Sequence, residues 1–321
     1  MTDSEVDRDR DPLGPAGAGA VGQIYGASLA KGGQEVSVYV RPRWVPLALE
    51  GYPVRRHGAA AGLWRPAGVF TRVEELAARR WDRVWICTAS PALREPWLPE
   101  LLAAVPGASI VLLTPGLHDR ELLLEFVPAA RLNLGMITLM GWSSPLPGEQ
   151  GPKETLWWPP PLSPALFEGP EAEALAAELA AGGVPAKATA DVAWTAGLGS
   201  AGLIPAIAAL ELAGWRFDTL RAEGLPRLCA AAVEAMNVVG AVRGKSPGLA
   251  PSLLRPWIVG LITRLAPLVA PVNMEVYLCA HFSKVRPQTL AGLSTWIEDG
   301  EARGLPTTAL RELLRGLSAA P

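Results

Sequence analysis

Residues 17–41, GAGAVGQIYGASLAKGGQEVSVYVR, constrain this chain more than any other stretch. They open with Gly17-x-Gly19-x-x-Gly22. Glycines at this spacing permit a tight turn, a close backbone approach to a pyrophosphate and close helix–strand packing. A helix is expected over 23–31, and Gly32-Gly33 supplies the stop beyond its end. Val36, Val38 and Val40 then alternate with polar residues, the period of a strand that ends at Arg41. In such a unit the helix N-terminus offers free N–H groups and a positive dipole end to phosphate. The residue closing the second strand discriminates between dinucleotides: a carboxylate meets a ribose 2′-hydroxyl, a cation meets a 2′-phosphate. Arg41, with Arg43 two residues on, predicts NADP, held by Gly17, Gly19, Ala20, Val21, Gly22 and Arg41.

An apolar strand should precede the glycines. The chain instead reads Asp9-Arg10-Asp11-Pro12-Leu13-Gly14-Pro15-Ala16. Two prolines remove backbone donors from what should be a central strand. The expectation is a degraded strand over 13–16, or a start from which the true first strand is lost or misannotated.

With 321 residues, half of them hydrophobic and 19% charged, the chain has material for two domains with sizeable cores. A net charge of −2 points away from nucleic acid and from an acidic membrane surface. Cys87, Cys229 and Cys279 are far apart and form no CxxC, as expected for reduced thiols in the cytoplasm. His57, His118 and His281 make no ligand cluster, so no metal is expected. The polar start, MTDSEVDRDRD, has no apolar core of a signal peptide and reads as a disordered tail over 1–11. The apolar run 256–272 carries Arg264 in its middle and is broken by prolines, which suits a buried helix pair or a helical interface rather than a membrane span.

Further along, 71–80 reads as a helix with Thr71 as cap and Glu74 as its box partner. Strands are expected over 83–88, 109–113 and 132–140, with helices over 91–104 and 118–126. Alternation of this kind means βαβ units and a mostly parallel sheet, with ligands beyond the carboxyl ends of the strands. That adds Thr88, Pro115 and Gly116 to the cofactor set. Residues 142–170, rich in Pro and Trp, read as a long ordered loop or a ragged strand. A helix over 171–181 and a last strand over 184–188 follow. Beyond 189 only Ala/Leu-rich helical segments remain: 191–213, 217–243, 251–269, 274–302 and 307–318. The predicted organisation is α/β: a Rossmann-type NADP-binding domain over 12–188, then an all-helical substrate and dimerisation domain over 189–321. A second GxGxxG at Gly197, Gly199 and Gly202 precedes only an apolar helical run, so it reads as a small-residue helix face.

The glycine loop with its Arg41 strand, the helical second half, and the stretch RPQTLAGLSTWIEDGEARGLPTTAL at 286–310 together resemble the ketopantoate reductase family over nearly the whole chain. The resemblance implies NADPH-dependent hydride transfer to a 2-keto acid, with the site between the two domains. The family's catalytic residues do not carry over. Its lysine matches Ala196, its two asparagines Ser200 and Ile204, and Pro205 is kept. The loop that holds a further asparagine reads Pro115-Gly116, a lysine after the fourth strand becomes Ser90, and the glutamate becomes Gln288 or Thr289. Loss of the whole set argues against ketopantoate itself as substrate.

A replacement set is available. Tyr277, His281, Lys284 and Gln288, at spacings of 4, 3 and 4, are expected on one helical face. Lys284 would polarise the acceptor and His281 or Tyr277 would donate the proton, as hydride delivery to C=O or C=N requires. Ser200, Tyr277 and Gln288 are the expected substrate contacts. The alternative for this face is a solvated surface opposite Leu278, Phe282 and Val285. Trp142, Trp157 and Trp158, three of 12 tryptophans, would shape a bulkier apolar substrate site, or simply pack over the sheet. The expected activity is reduction of an unidentified carbonyl or imine by a cytoplasmic enzyme that meets a small-molecule substrate and no nucleic acid or membrane. A homodimer through the helical domain is the expected assembly. The rival expectations are an inactive nucleotide-binding homologue, acting as sensor or interaction protein, and a binder of apolar ligands or membrane edges through 253–272.

Overall fold

In this computed structural model, residues 19–113 and 116–319 are described. The glycine loop leads into helix α1 (Ala20–Lys31), whose buried side carries Ile24, Tyr25 and Leu29. The helix stops at Gly32, whose N–H returns to the Ser28 carbonyl, and Gly33 turns the chain at φ +94°. Strand β1 (Val38–Tyr39) pairs in parallel with β4 (Val69–Phe70). The ladder extends to Val40, whose N–H donates to the Phe70 carbonyl. Between them lie α2 (Val45–Glu50), β2 (Tyr52–Arg56) and β3 (Gly62–Trp64). Val38, Val40, Ala48, Tyr52 and Trp64 close a small core there. Gly26 of α1 is what admits Trp64, because a Cβ at that position would lie 2.2 Å from the indole.

Helix α3 (Val73–Ala77) starts one residue later than its predicted cap: Glu75, not Glu74, accepts from the N–H groups of Thr71 and Arg72. Strand β5 (Arg83–Ile86) follows, and the helix expected over 91–104 is broken. Ser90–Arg94 form a 3-10 turn, and α4 (Trp97–Ala104) begins only after Pro96, which lacks the N–H needed to continue a helix. Strand β6 (Ser109–Leu113) is buried along its whole length, as a parallel strand covered on both faces should be. After α5 (Asp119–Leu124) comes β7 (Leu132–Met136), parallel to β6.

Residues 142–170 are not a loop. They form β8 (Met140–Ser144), β9 (Glu154–Trp158) and β10 (Ala165–Glu168). The prolines that hid them, 159–161, sit between strands rather than inside one. Strand β9 is central to a four-stranded sheet ordered β3-β2-β9-β8, where Arg55 donates bidentately to the buried Glu154. Trp142 and Trp157 are buried in this sheet, so packing accounts for them. Helix α6 (Ala172–Ala181) and β11 (Ala186–Ala188) complete a five-stranded sheet ordered β11-β10-β7-β6-β5, in which only the β10–β7 pair is antiparallel. A doubly wound sheet would place its first strand between β1 and β5. Among the described residues those strands belong to separate sheets, and the predicted strand over 13–16 lies outside them.

The remainder is helical. Helix α7 (Val192–Leu212) is followed by a continuous rod of α8 (Phe217–Thr219), a π turn over Leu220–Gly224 and α9 (Leu225–Arg243). Then come α10 (Ala250–Leu253), α11 (Pro256–Val269), α12 (Met274–Lys284), α13 (Arg286–Ala302) and α14 (Thr308–Ala319). Val192–Leu212 and Phe217–Arg243 are long and apolar enough to cross a membrane by length and composition. In the fold they pack on each other, with Ala201, Ala208, Ala231, Ala235 and Val239 fully buried or nearly so. The Glu234 carboxylate accepts from the N–H groups of Ala309 and Leu310 at 3.1 and 3.0 Å, capping the start of α14. By contacts the chain forms two compact units, 1–113 with 122–189, and 114–121 with 190–321. Residues 114–121 thus group with the helices, although the sequence placed them in the first domain.

Candidate functional site

At the start of α1, Gly19 has φ −68° and ψ 178°, and no side chain caps the helix. The first turn holds no acidic residue, and among the described residues no side-chain cap is made at this helix start. That is the arrangement an anion would complete. Gly17 lies outside the described residues. Arg41 lies two residues past β1 and opens the 3-10 turn Pro42–Trp44, its carbonyl accepting from the Trp44 N–H at 2.9 Å. The Arg43 guanidinium sits 5.5 Å from the centroid of the exposed Trp44 ring. Trp44, an aromatic three residues beyond Arg41, closes the same turn.

Thr88, two residues past β5, is buried, and its hydroxyl has no hydrogen-bond partner. A buried hydroxyl without a partner at a strand's carboxyl end is an unmet donor and acceptor. Beside it, burial pushes the Cys87 thiol up to about 12. Burial also raises the Tyr25 hydroxyl, whose ring meets Trp85 edge-on at 6.0 Å. Gly116 is less open than expected: its N–H already donates to the buried Asp119 carboxylate at 2.6 Å. Pro115 lies outside the described residues.

On α7, Asp191 is the N-cap, accepting from the Trp194 N–H at 2.8 Å. Burial works against its charge, yet the Lys245 ion pair and that N–H hold its carboxyl below the usual range. Ala196 is buried, Ser200 half-buried, and with Ile204 this face offers no ionisable group. The second glycine motif is interior to α7, not a loop. A Cβ on Gly197 would come within 3.0 Å of Val239 on α9, so its role is close helix packing.

The four-residue face of the helical half is only partly assembled. Tyr277, His281 and Lys284 lie on α12, and the Tyr277 and His281 rings stack 5.6 Å apart. Gln288 is not on the same helix: α12 ends before Val285, and Gln288 belongs to α13. Pro287 is the cause, since it cannot donate to the carbonyl four residues back and is tolerated only in a first turn. Lys284 is exposed in the last turn of α12. Burial, with a smaller contribution from the Lys284 charge, pushes His281 down to about 4, so its imidazole is neutral at pH 7. Among the described residues no group of three His, Cys, Asp or Glu could hold a metal ion.

A parallel-rich α/β region with a glycine-led first helix, followed by helices over 192–319, defines the class: an α/β fold with an all-helical second half. The particular fold is that of ketopantoate reductase. Residues 15–149 match the family model of ketopantoate reductase PanE/ApbA. The 2-dehydropantoate 2-reductase of Methylococcus capsulatus is similar with TM-score 0.70 at 19% identity, covering 94% of both chains. That of Geobacter metallireducens GS-15 gives 0.69 at 20% identity, over 96% of this chain and 98% of the other. D-mandelate dehydrogenase, solved with NADH and anilino(oxo)acetate, gives 0.69 at 15% identity over 95% and 96%. No curated protein matches the chain in sequence.

Proposed function

We propose that this chain is an NADPH-dependent oxidoreductase that reduces a carbonyl or imine other than ketopantoate. The observation that carries the reading is the family match over 15–149, which contains the uncapped start of α1 and the arginine closing β1. Gly19, Ala20, Val21 and Gly22 would hold the pyrophosphate by backbone N–H groups, Arg41 the 2′-phosphate, and Thr88 would satisfy its hydroxyl on the cofactor. The bound dinucleotide supplies the hydride. Lys284 would hold the acceptor oxygen or nitrogen and give it a proton, while neutral His281, stacked on Tyr277, serves as an N–H donor rather than as an imidazolium. The substrate would be a small molecule met in the cytoplasm.

Calorimetry with NADPH and NADH, followed by turnover on a panel of keto acids, ketones and imines, tests this. Arg41→Ala should weaken NADPH binding roughly 10- to 100-fold while sparing NADH, as loss of charged hydrogen bonds implies. Equal losses for both would remove the phosphate assignment. Lys284→Ala should lower kcat by about 100-fold or more with NADPH affinity kept; an unchanged rate removes Lys284 from the mechanism.

A second reading has its own support. The α7 face that carries chemistry in the family holds Ala196, Ser200 and Ile204 here. NADPH binding without oxidation on any acceptor would favour a nucleotide sensor.

A further inference from the structure

We infer that the acceptor is an uncharged ketone or aldehyde, neither a 2-keto acid nor an imine; this names the substrate class of the site proposed above and rests on that reading. The argument is a count of cations around Lys284, which stands exposed in the last turn of α12. Helix α12 packs against α7 and α13. Helix α7 runs for 21 residues without a lysine or an arginine. On α13 the Arg286 guanidinium is taken, donating to Glu211 at 2.6 Å and to the Leu317 carbonyl at 2.5 Å. Arg303, at the far end of α13, donates to the carboxylate of Asp299 at 2.6 Å. Among the described residues of these three helices, Lys284 is the cation without a carboxylate partner. His281 does not add a second one. Its ring lies on Tyr277 and meets Phe282 edge-on at 4.8 Å, and burial keeps it neutral at pH 7.

A 2-keto acid asks for two positive partners. Its carboxylate must be paired once it leaves water, and its carbonyl oxygen must be polarised and protonated as hydride arrives. One ammonium does one of these: paired with the carboxylate, it leaves the carbonyl unassisted. A neutral ketone or aldehyde leaves Lys284 free for the carbonyl. Hydride forms the new C–H bond, the C=O π pair moves onto oxygen, and the oxygen takes a proton from the Lys284 ammonium. Lys284 is exposed and regains that proton from water. The product is a neutral alcohol. An imine is reduced as its iminium cation, which the Lys284 charge repels. The one carboxylate of α12, Glu275, is engaged at the other end of the helix, accepting from the Phe217 N–H at 2.6 Å. The rings of Tyr277, His281 and Phe282 beside Lys284 suit an aryl or other apolar substituent on the carbonyl.

Phenylglyoxylate and its methyl ester share one reactive carbonyl and differ in charge, so they make the test. With NADPH, the full chain should reduce the ester with kcat/KM about 100-fold or more above that of the acid. The acid should inhibit reduction of the ester competitively. Calorimetry without cofactor gives a second readout: the acid should bind Lys284→Gln at least about 10-fold more weakly than the native chain, because its carboxylate occupies the ammonium. Reduction of the acid as fast as the ester overturns the proposal and leaves the oxidoreductase reading standing. Reduction of 1-pyrroline, a cyclic imine, faster than the ester does the same. Equal binding of the acid by the native chain and by Lys284→Gln also overturns it, since a second cation would then hold the carboxylate. NADPH that binds but is oxidised by none of the three compounds takes down the oxidoreductase reading together with this one.

Discussion

His281 shows how a single ring reports its surroundings. Its folded value near 4 lies below the ordinary 6.5, burial being the larger cause and the Lys284 charge the smaller. Between pH 4 and 6.5 the unfolded chain therefore binds a proton that the folded chain does not. Stability should rise with pH through that window and be lost as pH falls through it, by on the order of 2 kcal/mol for a partly exposed ring. His281→Phe should flatten this dependence in thermal melts at pH 4.5 and 7, and an unchanged slope would mean that the ring is solvated. The same neutrality limits chemistry. An imidazole that stays uncharged to pH 4 cannot serve as an imidazolium donor at pH 7, which leaves Lys284 as the one cation of the α12 set.

At the scale of elements, glycines divide into those that a methyl group would break and those that it would not. Gly182 ends α6 against α1, and a Cβ there would lie 1.9 Å from the Ser28 carbonyl oxygen. Gly182→Ala should cost about 2–4 kcal/mol, read by urea unfolding. Gly202, inside α7, would meet only the Met236 methyl at 3.7 Å. Gly202→Ala should be neutral or stabilise by up to about 1 kcal/mol through helix propensity. The pair separates a helix-face glycine from a close-approach glycine, a distinction that spacing alone does not make.

The same scale explains what was readable beforehand. The glycine loop, α1, the ladder at Val38 and Val40, and the helices beyond 189 each carry a period or a stop signal in a few adjacent residues. Over 142–170 the pattern stays between a loop and a ragged strand: Pro145, Pro147, Pro152 and Pro159 crowd the stretch, and one of the two strands flanking β9, β2, lies over 90 residues away. The spacing from Tyr277 to Gln288 fits one helical face only where a single helix runs through Pro287, and here two helices meet at Val285. Uncapped N–H groups at Gly19 and the unpaired Thr88 hydroxyl depend on what is not nearby, which no local pattern encodes.

For the whole molecule, the passage of the chain through its two units matters as much as their separate cores. Leu113 ends the most buried strand, and the next eight residues count with the helices. His118 pairs with Asp299 at 2.6 Å, and Arg243 holds both the Leu117 carbonyl and Glu121. A gene fragment ending at residue 189 would therefore carry a loop whose partners for Leu117, His118 and Glu121 were left behind on α9 and α13. Such a fragment should melt below the intact protein and be nicked by trypsin at Arg120, whereas the intact chain should resist cleavage there. Dissecting this protein at the sequence boundary cuts through a braid rather than a linker.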